Sequence, residues 1–186
     1  MSGKHLSIGF RLTPHKDISM MNKFDVYTEI LSKRKIFNQV LHKIGTLNIN
    51  LPYWTSIDDA IVYSVIGQML SNSASASIIS FLHKQVGTSH EIINWASNTY
   101  MLPGPIYGVS QRKRRALYEW RKYISLNGNA WMKWGQLPIE EYRKEISSIW
   151  GFGRWSADMI GIFYFGRMDV WPENDTGIKK DRKSVV

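Results

Sequence analysis

The sequence predicts an all-α fold: a multi-helix domain with no clear sheet, in which two of the helices meet across a tight glycine turn. Three observations carry this. Apolar residues recur at three- and four-residue spacing in segment after segment. Capping residues and glycines punctuate those segments at their ends. No stretch of apolar–polar alternation is long enough to claim a strand. With 186 residues, 44% of them hydrophobic and 21% charged, the chain suits one domain with a proper core and excludes wholesale disorder.

Residues 1–21 show no clear periodicity and read as an N-terminal arm or remnant. A helical domain is expected over 22–180, with 181–186 as a basic tail. From about Asn22 to Lys43, apolar positions between Phe24 and Ile44 predict one or two helices, and Gly45 stops the second. Ser56 opens the next as its N-cap. Asp58 and Asp59 follow in the first turn, where the helix dipole favours carboxylates. Ile57, Ile61, Val65 and Met69 step by four, with Val62, Ile66 and Leu70 alongside. A helix apolar around so much of its circumference belongs in the middle of the domain.

Ser71-Asn72-Ser73 breaks the pattern, and a second helix is expected from about Ala74 to Val86, closed by Gly87. Ser89 is read as the cap of a short helix through Ser97. Leu102 to Gly108 is a loop by its proline and glycine content. Ser110 N-caps a basic helix to about Leu126, ended by Asn127-Gly128. Pro138 sits where a first helical residue would, with Glu140 and Glu141 behind it, and that helix reaches Ile149 or Trp150. Gly151-Phe152-Gly153 is the tight turn, and Arg154 to Phe165 forms the last helix, stopped by Gly166.

The charge is uneven. Lys and Arg number 24 against 15 Asp and Glu, a formal +9. From Gly45 to His83 there is no Lys or Arg, whereas Arg112, Lys113, Arg114, Arg115, Arg121 and Lys122 crowd the basic helix. Lys179, Lys180, Arg182 and Lys183 form a second cluster. Clustering of this kind favours a phosphate backbone as partner. The absence of cysteine excludes disulfides, thiolate metal sites and cysteine nucleophiles. The five histidines show no ligand spacing, so no catalytic metal is read. No apolar run approaches the ~20 residues of a membrane span, and Met1 to Phe10 lacks the apolar region of a secretory signal. An intracellular monomer is expected.

The turn at Gly151-Phe152-Gly153 is the most informative feature. Two glycines let the backbone reverse within a few residues, and the amides opening the helix at Arg154 make an anion site. The run from Ile149 to Ile160 and the segment Phe165 to Ile178 closely resemble the helix-hairpin-helix (HhH-GPD-like) DNA glycosylase superfamily, in its 3-methyladenine DNA glycosylase II branch. Val65-Ile-Gly-Gln-Met-Leu-Ser71 and Tyr107-Gly-Val-Ser-Gln-Arg-Lys113 are similar to two upstream segments of the same branch.

The resemblance implies excision of alkylated purines from double-stranded DNA in base-excision repair, by a DNA-associated protein. Asp175 matches the catalytic aspartate, a fixed negative charge for a cationic sugar. Trp155 stands where strand-cleaving relatives carry a lysine, so no lyase step is implied; Trp155 and Met159 fall in the base pocket. Met69, with Gln68 beside it, matches the wedge that fills the gap left by an extruded base. Gly151, Gly153, Arg154, Ser156 and Lys113 are implied at the DNA backbone. The carbonyls of Ser147, Ile149 and Phe152 are implied to hold a monovalent cation, Na+ or K+, with no catalytic cofactor. Eleven residues follow Asp175 where the family continues for tens, so the chain reads as C-terminally short. A catalytically impaired DNA-binding module is the alternative.

Overall fold

The computed structural model describes residues 54–175 together with Lys33, Lys35, Asn38, Gln39 and Ile178. The expected arm at 1–21, the basic tail at 181–186, the cluster of Lys179, Lys180, Arg182 and Lys183, and most of the helical segment at 22–43 lie outside the described residues. Lys35, Asn38 and Gln39 are helical. The chain divides into two units, 1–50 and 51–186.

Between residues 54 and 175 the second unit has six α-helices and a 3-10 helix: α1 (Ile57–Gly67), α2 (Asn72–Gln85), α3 (Ser89–Thr99), α4 (Gln111–Asn127), the 3-10 helix Ala130–Gln136, α5 (Ile139–Ser147) and α6 (Arg154–Phe163). No strand occurs among the described residues; one isolated bridge pairs Ile106 with Val109. None of the described helices is long and apolar enough to cross a membrane.

α1 is the central helix. Ala60, Ile61, Val62, Val65 and Ile66 are fully buried, and α1 packs against α2, α3, α4 and α6. Each of the valine and isoleucine side chains contributes roughly 1.5–3 kcal/mol by leaving water. Ser56 accepts from the Asp59 amide while Asp59 accepts from the Ser56 amide, a reciprocal capping box. Asp59 also accepts from Ser89 and Thr55. Burial pushes its pKa up, and these hydrogen bonds outweigh that and hold it below the usual carboxylate value. Asp58 accepts from the Trp120 indole at 3.2 Å, tying the start of α1 to α4.

Several helix starts differ from expectation. α2 begins at Asn72 because Ser71 caps it, two residues before the expected start. α3 is capped by Thr88 in a capping box with Glu91, not by Ser89, whose hydroxyl turns to Asp59 instead. Pro138 is the N-cap of α5 rather than its first residue, and α5 ends at Ser147. α6 ends at Phe163. The 3-10 helix was absent from the reading; it carries Trp134 into the core against Trp120 and Tyr123.

Arg114 is a correction to the basic-helix reading. It is fully buried and donates to the carbonyls of Thr99, Leu102, Gly104 and Val109. Its guanidinium gathers the 102–109 loop from inside, since carbonyls of a folded-back loop need donors that water no longer supplies.

Candidate functional site

The site forms where the end of α1, the turn between α5 and α6, and the segment after α6 come together. α1 stops at Gly67. Gln68 then leaves the helical conformation, and Met69 takes φ +58° in the left-handed region. A non-glycine residue held there stores roughly 1–3 kcal/mol of strain. Met69 is 97% exposed, which removes the alternative of a core methionine on the Ile57/Ile61/Val65 stripe. It projects from the helix end.

Gln68 turns the other way. Its Nε2 donates to the Gly151 carbonyl at 2.9 Å and lies 3.0 Å from the Ser156 hydroxyl. Gln68 thus clamps the end of α1 to the turn and to the first turn of α6, directly beside the exposed Met69. Ser156 is 1% exposed and its hydroxyl accepts that bond.

The two glycines of the turn have different physical reasons. Gly151 has φ +90°, and a Cβ there would overlap the Cβ of Ala116 on α4. Its glycine character serves close packing of the turn on α4. Gly153 has ordinary extended dihedrals, is exposed, and would meet nothing within 4 Å. The open approach lies there, at the N-terminus of α6, where no side chain caps the helix. Gly151→Ala is expected to lower stability by about 1–3 kcal/mol from overpacking and backbone strain. Gly153→Ala should change it by under about 1 kcal/mol. Thermal melts of the two variants check this; equal shifts would contradict the asymmetry.

Lys113 is half-buried and donates from Nζ to the Ile66 carbonyl at 2.8 Å, in the last turn of α1. Burial lowers its pKa. The ammonium satisfies an orphan carbonyl at the end of α1. Arg154 is exposed, with Glu140 3.9 Å away. The carbonyl of Ile149 accepts from the Phe152 amide at 3.1 Å, a bond that draws the turn closed.

Trp155 and Asp175, twenty residues apart in sequence, meet. The indole Nε1 donates to the Asp175 carboxylate at 2.9 Å, and the other carboxylate oxygen accepts from the Ile178 amide at 3.4 Å. The carboxylate is thus oriented from two sides. The Trp155 ring passes close to Gly67, where a Cβ would stand 3.4 Å from Cη2, in ordinary van der Waals contact. Met159 lies one turn further along α6, half-buried on the Trp155 face.

An ion pair that sequence reasoning missed holds α6 in place. Arg143 on α5 donates from Nε to Asp158 at 2.8 Å and from Nη1 to Glu140 at 2.7 Å, and Asp158 is 2% exposed. Tyr142 adds a 2.6 Å bond to the Ala157 carbonyl. The signal was present in an aspartate set inside the apolar run from Ala157 to Ile160.

No family model matches the chain. Over 48 residues it is 35% identical to the alkylbase DNA glycosidase-like protein mag2 of Schizosaccharomyces pombe, a stretch covering 26% of this chain and 22% of that protein. Among solved structures, the 3-methyladenine DNA glycosylase of Archaeoglobus fulgidus superposes with a TM-score of 0.64 at 14% identity, over 92% of this chain and 64% of that one. The S. pombe 3-methyladenine DNA glycosylase Mag1, in complex with abasic DNA, superposes with a TM-score of 0.62 at 19% identity, over 84% and 79%. The match to mag2 thus spans about a fifth of that relative, and the chain spans just under two thirds of the archaeal enzyme. The helical scaffold thus has the fold of these two 3-methyladenine DNA glycosylases.

Proposed function

We propose that the chain is a monofunctional DNA glycosylase that hydrolyses the N-glycosidic bond of alkylated purines, of the 3-methyladenine type, in duplex DNA. The observation that carries this is the carboxylate of Asp175, held by the Trp155 indole at 2.9 Å and by a backbone amide. Departure of a purine leaves positive charge on the sugar, and a carboxylate already fixed in place stabilises that charge without reorganising. Asp175 would also position the water that completes hydrolysis.

Trp155 has no amine to attack C1′, so no covalent adduct forms and the strand stays intact. Its ring and Met159 line the space for an alkylated base, whose positive charge favours an aromatic face. Met69, exposed and held in a strained conformation, would fill the gap left in the duplex when the base leaves the stack. The open amides at Gly153 and Arg154 suit a phosphate. Ser147, Ile149 and Phe152 offer carbonyl oxygens, the hard donors a monovalent cation takes; the Ile149 carbonyl keeps a lone pair beyond its bond to Phe152. Such an ion would add positive charge beside the phosphate.

Incubation with methylated duplex DNA should yield abasic sites, scored as breaks that appear only after hot alkali, with no complex trapped by borohydride. Absence of base release overturns the proposal. Breaks without alkali overturn its monofunctional part.

A further inference from the structure

Trp150 stands just before the glycine turn with 38% of its surface in solvent, a large ring that the core does not claim. Two arginines of α4 lie over it. The guanidinium carbon of Arg115 is 4.1 Å from the ring centroid, and that of Arg112 is 6.0 Å away. Lys113 and Arg114, between them in sequence, point inward to carbonyls. The inward pair and the outward pair thus separate onto two faces of α4, as three-residue spacing requires.

Arg115 is held by two neighbours: its guanidinium carbon lies over the Trp150 ring, and Glu119 stands 3.6 Å from its Nε. No described residue is paired with its Nη groups. A stacked guanidinium keeps its N–H donors in plane, free for bidentate contact with an anion, and has already lost part of its rotamer freedom. Two like charges over one ring repel unless an anion joins them. The contact of Gly151 with Ala116 sets this cluster beside the turn, next to the open helix end at Gly153.

We propose that Trp150 positions Arg115 as a second DNA-phosphate contact beside the turn, with Arg112 reinforcing it. This rests on the reading that the chain acts on duplex DNA. The partner is a polyphosphate backbone rather than a base, because the donors are exposed guanidinium edges and carry no sequence preference.

The test is binding of an undamaged, fluorescent DNA duplex by anisotropy between 50 and 200 mM salt, with melting curves confirming that each variant is folded. Arg115→Ala should weaken binding roughly three- to tenfold and reduce the salt slope by about one phosphate contact. Trp150→Ala should weaken it roughly two- to fivefold, and Trp150→Phe should restore most of that. The double variant Arg115→Ala/Trp150→Ala should bind within about twofold of Arg115→Ala alone, since the ring acts through the arginine. Wild-type affinity and slope in folded Arg115→Ala, or independent multiplication of the two effects, overturns the proposal while duplex binding by the wild type stands. A wild type that binds no duplex overturns the DNA reading with it.

Discussion

Asp175→Asn is expected to slow base release from methylated duplex DNA by about 10²–10³-fold, the range seen when one preorganised electrostatic group is removed from a transition state. The substitution keeps the side chain's shape. Its carbonyl oxygen can still accept from the Trp155 indole, now 2.9 Å from the carboxylate. What disappears is the negative charge, and with it about 2.7–4 kcal/mol of stabilisation of the cationic sugar. Ground-state binding to undamaged duplex should fall within about twofold of wild type, because Asp175 contributes to a charge that exists only as the bond breaks. Single-turnover release with enzyme in excess separates the two effects. A rate within tenfold of wild type, in a variant that binds DNA normally, would remove Asp175 from the chemistry.

The legible parts of this site were those encoded locally. Ser56, Ser110 and Gly87 announce helix ends because caps and left-handed turns need particular residue types at particular positions, and each lies at or beside a helix end as expected. The register of Trp155 with Asp175 was legible through resemblance. The bond between them was not, since twenty residues of chain can return in many ways. Side-chain direction was not legible. Gln68 and Met69 are neighbours in sequence and were read together, yet the backbone reverses between them, sending one into the turn and the other into solvent. Arg112 through Arg115 formed one basic run on paper, and helical geometry splits it into two inward and two outward cations. Burial of a charge depends on carbonyls brought from elsewhere in the fold, so sequence counts it as solvated. The 3-10 helix escaped because seven residues rich in Trp, Gly and Lys show no helical periodicity.

Arg143→Met is expected to lower the unfolding free energy by about 3–5 kcal/mol near neutral pH, the penalty for leaving a buried charge without its partner. Methionine replaces the aliphatic stem, so the packing between α5 and α6 is largely kept while Asp158, 2% exposed, loses its cation. For a chain of this size the loss corresponds to a melting shift of roughly 6–20 °C. Its pH dependence identifies the cause. Burial already raises the pKa of Asp158 above the ordinary carboxylate value, a tendency that the hydrogen bond and charge of Arg143 offset in part. A raised pKa means that the folded protein binds the proton more readily than the unfolded chain. Stability from that source is complete below the unfolded carboxylate pKa and is lost as pH rises through the folded one. Removing Arg143 raises the folded pKa further, so the variant should recover stability as pH falls from 7 toward 5. The double variant Arg143→Met/Asp158→Leu should regain most of the loss at pH 7, because replacing both partners removes the uncompensated charge altogether. Urea unfolding at pH 7 and 5 measures all three. A loss under about 1 kcal/mol, or a double variant no more stable than the single one, would mean that α6 is held by its apolar face alone. If the pair is the anchor, base release should fall with it, since α6 carries Trp155 and through it the orientation of Asp175.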